Sequence, residues 1–237
     1  RLALNYYWLY SNLKDALRFK LDPILSTSIG VGIATGLYGI SFGALSVAAG
    51  LDVWQTQLLS LLMFSGASQF AFIGVIASGG GAAIGAAITG AWLLGVRNGF
   101  YAVTMAPILH KVGLRKLIPA QLTIDESTAV ALAQKTTADQ RKGFWATGLA
   151  IYILWNLATF LGAVLGDTLG DPQGWGLDAA AAAAFLGLLW PRLKDSQTIL
   201  VAGVAVVLAT ILSPVVPTGA SILIAGASSI IIGWRNR

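Results

Sequence analysis

Residues 53–96 read VWQTQLLSLLMFSGASQFAFIGVIASGGGAAIGAAITGAWLLGV and hold no Asp, Glu, Lys or Arg. A helix that spans a bilayer needs about 20 apolar residues, each adding about 1.5 Å. The run is long enough for two spans. Ser78-Gly79-Gly80-Gly81 marks the turn between them, because consecutive glycines let the backbone reverse. The same pattern extends outward in both directions. Pro23 to Leu51, Gly143 to Gly166 and Ser196 to Trp234 are also free of charge, and the last run is broken at Ser213-Pro214-Val215-Val216-Pro217-Thr218-Gly219.

The composition agrees. Of the 237 residues, 56% are apolar and 11% are charged, against roughly 25% charged in a soluble domain. That excludes an ordinary soluble enzyme, a disordered tail and a nucleic-acid module. The net charge of +5 suggests cytoplasmic loops near anionic headgroups rather than a nucleic-acid partner. The absence of cysteine removes disulfides, zinc-thiolate sites and thiol nucleophiles. No cofactor motif is present.

The expectation is an all-α integral membrane protein of about seven to eight transmembrane helices, some short or broken. The spans fall near 24–49, 54–77, 82–108, 118–134 (short), 143–166, 178–191 (short), 196–213 and 219–234. Strands are disfavoured by alanine runs and the lack of two-residue alternation. Residues 1–22 differ. Leu13, Leu17 and Leu21 recur at helical spacing beside Lys14 and Arg18, after Tyr6, Tyr7, Trp8 and Tyr10. They read as an interfacial helix rather than a signal peptide, leaving 23–237 as a single transmembrane transporter domain.

Lys and Arg cluster at the N-terminus, at Lys135, Arg141 and Lys142, at Arg192 and Lys194, and at Arg235 and Arg237. By the positive-inside rule both termini are cytoplasmic. Eight full crossings fit everything except Lys111-Val112-Gly113-Leu114-Arg115-Lys116, which they place outside. Either the rule fails there, or 118–134 is re-entrant and another span is broken.

Internal duplication is suggested by Phe42-Gly43-Ala44-Leu45 and Phe160-Leu161-Gly162-Ala163, each followed by an Asp and a further span. Two repeats of this kind are a transporter feature. Gly32, Gly36, Gly39 and Gly43 place small residues on span one, as close helix packing in lipid requires, and Gly162 and Gly166 repeat the spacing. Trp54, Trp145, Trp190 and Trp234 read as interface anchors, and Trp92 and Trp155 as mid-span residues facing protein or a cavity.

Three stretches carry polar chemistry. Ser65-Gly66-Ala67-Ser68-Gln69 lies at the middle of span two, where glycine and unpartnered polar groups invite local unwinding. An unwound segment and a half-helix N-terminus can hold a carboxylate and an ammonium; the alternative is hydrogen bonding to neighbouring helices. Gly95-Val96-Arg97-Asn98-Gly99-Phe100-Tyr101 brings in Arg97, the one charge between Val53 and Pro107. An arginine at bilayer depth costs at least about 2.5 kcal/mol, so it snorkels, clamps a substrate carboxylate, or pairs with Asp125 or Glu126. Leu122-Thr123-Ile124-Asp125-Glu126 follows, with Thr123 and Glu126 at capping-box spacing. Asp125 and Glu126 are the candidates for proton coupling or an ion pair. Asp52 with Gln55, and Asp178, read as helix caps.

Taken in order, Ser65-Gly66-Ala67-Ser68-Gln69-Phe70, Val96-Arg97-Asn98 with Tyr101, and Leu122-Thr123 with Asp125-Glu126 resemble the AzlC family of bacterial branched-chain amino acid permeases, over about residues 20–234. The family pattern is a more compact Leu-Thr-Asp-Glu; here Ile124 intervenes. The resemblance implies a secondary transporter in the bacterial cytoplasmic membrane that exports leucine, isoleucine and valine; an apolar pocket discriminates one methylene by only about 1–3 kcal/mol, so methionine is expected to pass as well. It also implies a small AzlD-type membrane subunit as partner. The substrate-binding candidates are then Ser65, Gly66, Ala67, Ser68, Gln69, Arg97, Asn98 and Tyr101.

No G-x-x-x-x-G-K-[ST] motif is present to power transport with ATP. An intramembrane enzyme using Ser65 or Ser68 would need His110, the one histidine, which lies beside a basic loop. An accessory subunit without a substrate site is the remaining alternative. A lone Arg and a polar midplane cluster argue against it.

Overall fold

In a computed structural model of the chain, the residues described are 22–110, 113–169, 186, 189–190, 193–216, 221, 224–227 and 232. The expected interfacial helix at 1–22, apart from Asp22, and most of the expected spans 178–191 and 219–234 lie outside them. Among the described residues every regular element is helical: α1 (Pro23–Ala48), α2 (Val53–Leu62), α3 (Gly66–Gly79), α4 (Ile84–Leu109), α5 (Leu117–Leu122), α6 (Asp125–Leu132), α7 (Thr137–Leu169) and α8 (Ser196–Leu212). Short 3-10 turns at Gly80–Ala83 and Gly113–Lys116 precede α4 and α5. Three stretches are long and apolar enough to cross a membrane: Pro23–Ala48, Gly66–Leu109 and Thr137–Thr168.

The centre of the fold is the pair α1 and α7, packed in parallel. Ser28 meets Thr147 through a 2.9 Å hydroxyl contact. A Cβ on Gly32 would strike Ala150, one on Gly36 would strike Leu154, and one on Gly43 would run into the backbone at Thr159 and Ala163. Gly162 is equally closed by Ile40. The two glycine stretches that look alike in sequence therefore face each other. Without side chains between them the backbones come close enough for dispersion to hold the pair in lipid. At the start of both helices Lys142 Nζ lies 2.6 Å from the Asp22 carboxylate. That bond, with the amide of Ile24, holds the Asp22 carboxyl below the ordinary aspartate value. Asp22 also caps α1, and Asp195 caps α8 through Thr198.

This contact defines a near side, where α1 and α7 begin, and a far side, where they end. α4 ends on the near side, because Arg141 Nε donates to Ile108 O at 2.6 Å. It therefore runs antiparallel to α7 and starts on the far side. α3 packs antiparallel along the first half of α4, with Gly95 facing Ser68 Oγ, after the chain reverses at Gly80 (φ +56°). α2 also runs antiparallel to α7: Trp54 lies against Phe160, Gln57 bonds Asn156, and Leu61 O accepts from Tyr152. α2 comes in from the far side, breaks at 63–65, and α3 returns to the far side. With 10 residues, α2 is about 15 Å long, half of a hydrocarbon core of about 30 Å.

α5 and α6 make the opposite excursion. Leu122 packs against Gly148, and Val130 and Ala131 against Gly143. The segment therefore enters from the near side, breaks at 123–124 and returns to it. Gln121 Nε2 donates to Leu61 O at 2.9 Å, joining the tips of the two hairpins. Residues 113–116 thus share a side with Arg141 and Lys142. Of the two explanations for the basic loop, re-entrance of 118–134 is the one observed, and the broken partner is the span expected at 54–77.

One tryptophan departs from expectation. Trp92 is 68% exposed and faces outward, neither into protein nor into the cavity.

Candidate functional site

The two hairpin tips meet beside the middle of α7, and a cavity of about 520 Å³ opens between them. The break at Met63-Phe64-Ser65 is the unwinding expected around Gly66. It is held by Gln69, which is fully buried. Gln69 Nε2 donates to Met63 O at 2.6 Å and lies 3.4 Å from Ser60 O, while Oε1 accepts from Trp155 Nε1 at 2.9 Å. Helix formation stops at Met63 because its carbonyl is taken by a side chain from the next helix. Gly66 is required where it stands, since a Cβ there would meet the Trp155 ring at 3.1 Å.

α3 starts bare. Ser65 is extended (φ −156°) and makes no side-chain cap; its hydroxyl accepts from Ser68 Oγ at 3.2 Å. The first-turn amides of Gly66, Ala67 and Ser68 form an uncapped positive end at the cavity. α6 starts differently. The expected Thr123–Glu126 capping box does not form: Thr123 Oγ1 donates to Pro119 O at 2.6 Å. Ser127 takes over, accepting from Ile124 N at 3.1 Å and donating to Leu122 O at 2.7 Å. The inserted Ile124 is the reason. It is buried in the core and moves the helix start to Asp125, so that Asp125 and Glu126 occupy the first turn.

Across the gap, Arg97 Nη1 lies 3.4 Å from Asp125 Oδ2, with the side chains 28% and 34% exposed. The buried Nε of Arg97 has no hydrogen-bond partner among the described residues. Of the residues expected to bind substrate, Ser65, Gly66, Ala67 and Arg97 line the cavity, together with Asp125 and Glu126. Ser68, Gln69, Asn98 and Tyr101 are not among the lining residues. Ser68 and Gln69 are turned into the helix packing, where they hold the break.

The walls are Phe64, Phe70, Leu93, Leu94, Ile124, Ile151, Trp155 and Leu189, with Thr35 and Tyr38 from α1; Leu93, Leu94, Ile151 and Leu189 are apolar positions that sequence reading does not single out. Trp155 was visible as a mid-span tryptophan. Nothing in its neighbours ties it to Gln69, 86 positions away. The site thus holds one uncapped helix end, one cation and two carboxylates against apolar walls. It suits a small zwitterion with an apolar side chain. No group of three or more His, Cys, Asp or Glu that could hold a metal occurs among the described residues.

Comparison with protein families matches the AzlC protein family over residues 30–169. This chain belongs to that family. The matched range runs from the first turns of α1 to the end of α7 and so contains both hairpins and the cavity between them. Comparison with curated proteins and with solved structures gives no match. Membership gives the chain a role in membrane transport.

Proposed function

We propose that the protein is a secondary transporter, not an enzyme, that exports leucine, isoleucine and valine, and also methionine, across the bacterial cytoplasmic membrane, coupled to protons. The observation that carries this reading is the cavity between the hairpin tips. The substrate carboxylate binds the bare amides of Gly66, Ala67 and Ser68, with Arg97 completing its coordination. The ammonium faces Asp125 and Glu126, and the aliphatic chain lies on Phe64, Phe70, Ile151 and Trp155. Apolar walls discriminate weakly, since one methylene is worth only about 1–3 kcal/mol, so related aliphatic and thioether side chains pass together.

The side bearing Arg115, Lys116, Lys135, Arg141 and Lys142 is cytoplasmic in this reading, and both termini lie there; the far side carries Asp52 and Asp167. A small AzlD-type membrane subunit is the expected partner, on the strength of the family.

Proteoliposomes loaded with labelled leucine test this. Leucine should leave faster when the exterior is the more acidic side. Asp125→Asn and Glu126→Gln should each lower that rate. Full gradient-driven export in both variants would sink proton coupling through this pair, and absence of leucine exchange in the wild type would sink the transport reading itself.

A further inference from the structure

The cavity does not balance its charges. Among the described residues Arg97 is the one cation lining it, against the carboxylates of Asp125 and Glu126. Arg97 contacts Asp125 at 3.4 Å. Glu126, the next residue on α6, has no cation of its own among the described residues and stands beside a second carboxylate. At bilayer depth a carboxylate without a counter-cation is costly, and the ordinary relief is to take up a proton. The other titratable or charged groups lining the cavity are Tyr38 of α1, Arg97 of α4 and Asp125 of Glu126's own helix; neither α7 nor α3 contributes one.

We infer that Glu126 is the coupling residue: its carboxylate alternately holds the substrate ammonium and the transported proton, while Asp125 remains the counter-ion of Arg97. This rests on the export reading above. Ionised Glu126 accepts a hydrogen bond from the ammonium. Protonated Glu126 carries an O–H where the ammonium would sit and cannot hold it, so substrate and proton exclude each other.

On the side of higher pH the O–H bond breaks, the proton enters water, and the zwitterion binds. On the more acidic side a proton from water forms the O–H bond and the zwitterion leaves. One proton moves inward for each amino acid moved outward. The loaded site carries one more negative charge than the returning protonated site. The cycle is therefore electrogenic, and an interior-negative potential should drive export.

The test uses the full chain in leucine-loaded proteoliposomes. Leucine exchange at equal pH is measured beside export driven by an acidic exterior or by a potassium–valinomycin potential. Wild type should respond to both gradients. Glu126→Gln removes the group that holds the ammonium, so exchange should fall, and the exchange that remains should lose its response to both gradients, by about tenfold or more. Glu126→Asp, which still titrates, should keep the response with a displaced pH midpoint. Asp125→Asn should lower exchange and driven export together.

Leucine binding to the purified wild type should fall with proton concentration, one proton per leucine; this reading survives a variant that fails to insert. Gradient-driven export in Glu126→Gln would overturn the inference. So would selective loss of the response in Asp125→Asn, or export indifferent to potential. Exchange without any gradient response in the wild type would overturn the coupling role alone, whereas absence of exchange in the wild type would remove the transport reading beneath it.

Discussion

The hairpins α2–α3 and α5–α6 are built alike and finished oppositely. Each is two short helices that enter from one face, break near the middle of α7 and turn back. Each break is held by a side chain of the returning helix, Gln69 in the first and Ser127 in the second. The first returns with a neutral, uncapped end at Ser65-Gly66-Ala67. The second returns with Asp125 and Glu126 in its first turn. Two helix N-termini carry the same partial positive charge. Filling one with carboxylates and leaving the other bare turns a pair of like ends into one pole for an anion and one for a cation. In the proposed function a zwitterion lies between them in one orientation.

That contrast can be broken from either end. The largest effect is expected from Arg97→Ala, which leaves Asp125 and Glu126 facing the cavity without a cation. Removing one partner of a buried pair costs about 3–5 kcal/mol. This pair is about a third exposed, so screening should hold the loss in thermal stability below that range. Leucine exchange should be abolished, as measured by exchange in proteoliposomes.

Next comes Ser65→Asp, which gives the first hairpin the character of the second. A carboxylate at the N-cap stabilises a helix by roughly 0.5–2 kcal/mol, so the melting temperature should hold or rise. Leucine affinity, measured by binding to purified protein, should nevertheless fall by about 100-fold or more. An unchanged affinity would mean that the bare end is not the carboxylate seat.

Third, the two clamps should differ in cost. Gln69→Leu strands the buried Trp155 N–H, at about 1–3 kcal/mol, and leaves the Met63 carbonyl with the Ser65 amide alone. Ser127→Ala should cost less, about 1–2 kcal/mol, because its partners lie within the same short segment. Equal melting temperatures for the two would show that the breaks are not held in the way described.

The smallest effect belongs to Asp22 and Lys142, which tie α1 to α7 on the face from which the second hairpin enters. The Asp22 carboxyl is lowered in the folded state. Its contribution is therefore complete above the ordinary aspartate value near 3.8 and is lost as pH falls through the lower folded value. Asp22→Asn should lower the melting temperature slightly at neutral pH, and the difference from wild type should vanish as pH falls through the folded value.

Much of this was readable from the chain. Charge-free runs of known length dictate membrane helices, because an uncompensated charge is excluded from lipid whatever surrounds it. The unwinding at Ser65-Gly66 follows from glycine and polar groups at bilayer depth. The Asp52 cap with Gln55 formed as its spacing required. The Thr123–Glu126 box did not, because burial of Ile124 outweighs one local hydrogen bond.

Direction was not readable. A break in an apolar run can continue across the membrane or turn back, and residues 53–79 are compatible with both. The sequence by itself determined that this is a helical membrane protein with one cation and two carboxylates placed among apolar residues. Only the tertiary structure decided that the broken spans are opposed hairpins, that Arg97 reaches Asp125, and that Gln69 braces Trp155 rather than facing the cavity. Composition acts on each residue through its own solvation, whereas these contacts join positions 28 and 86 residues apart, and only packing of the whole chain brings them together.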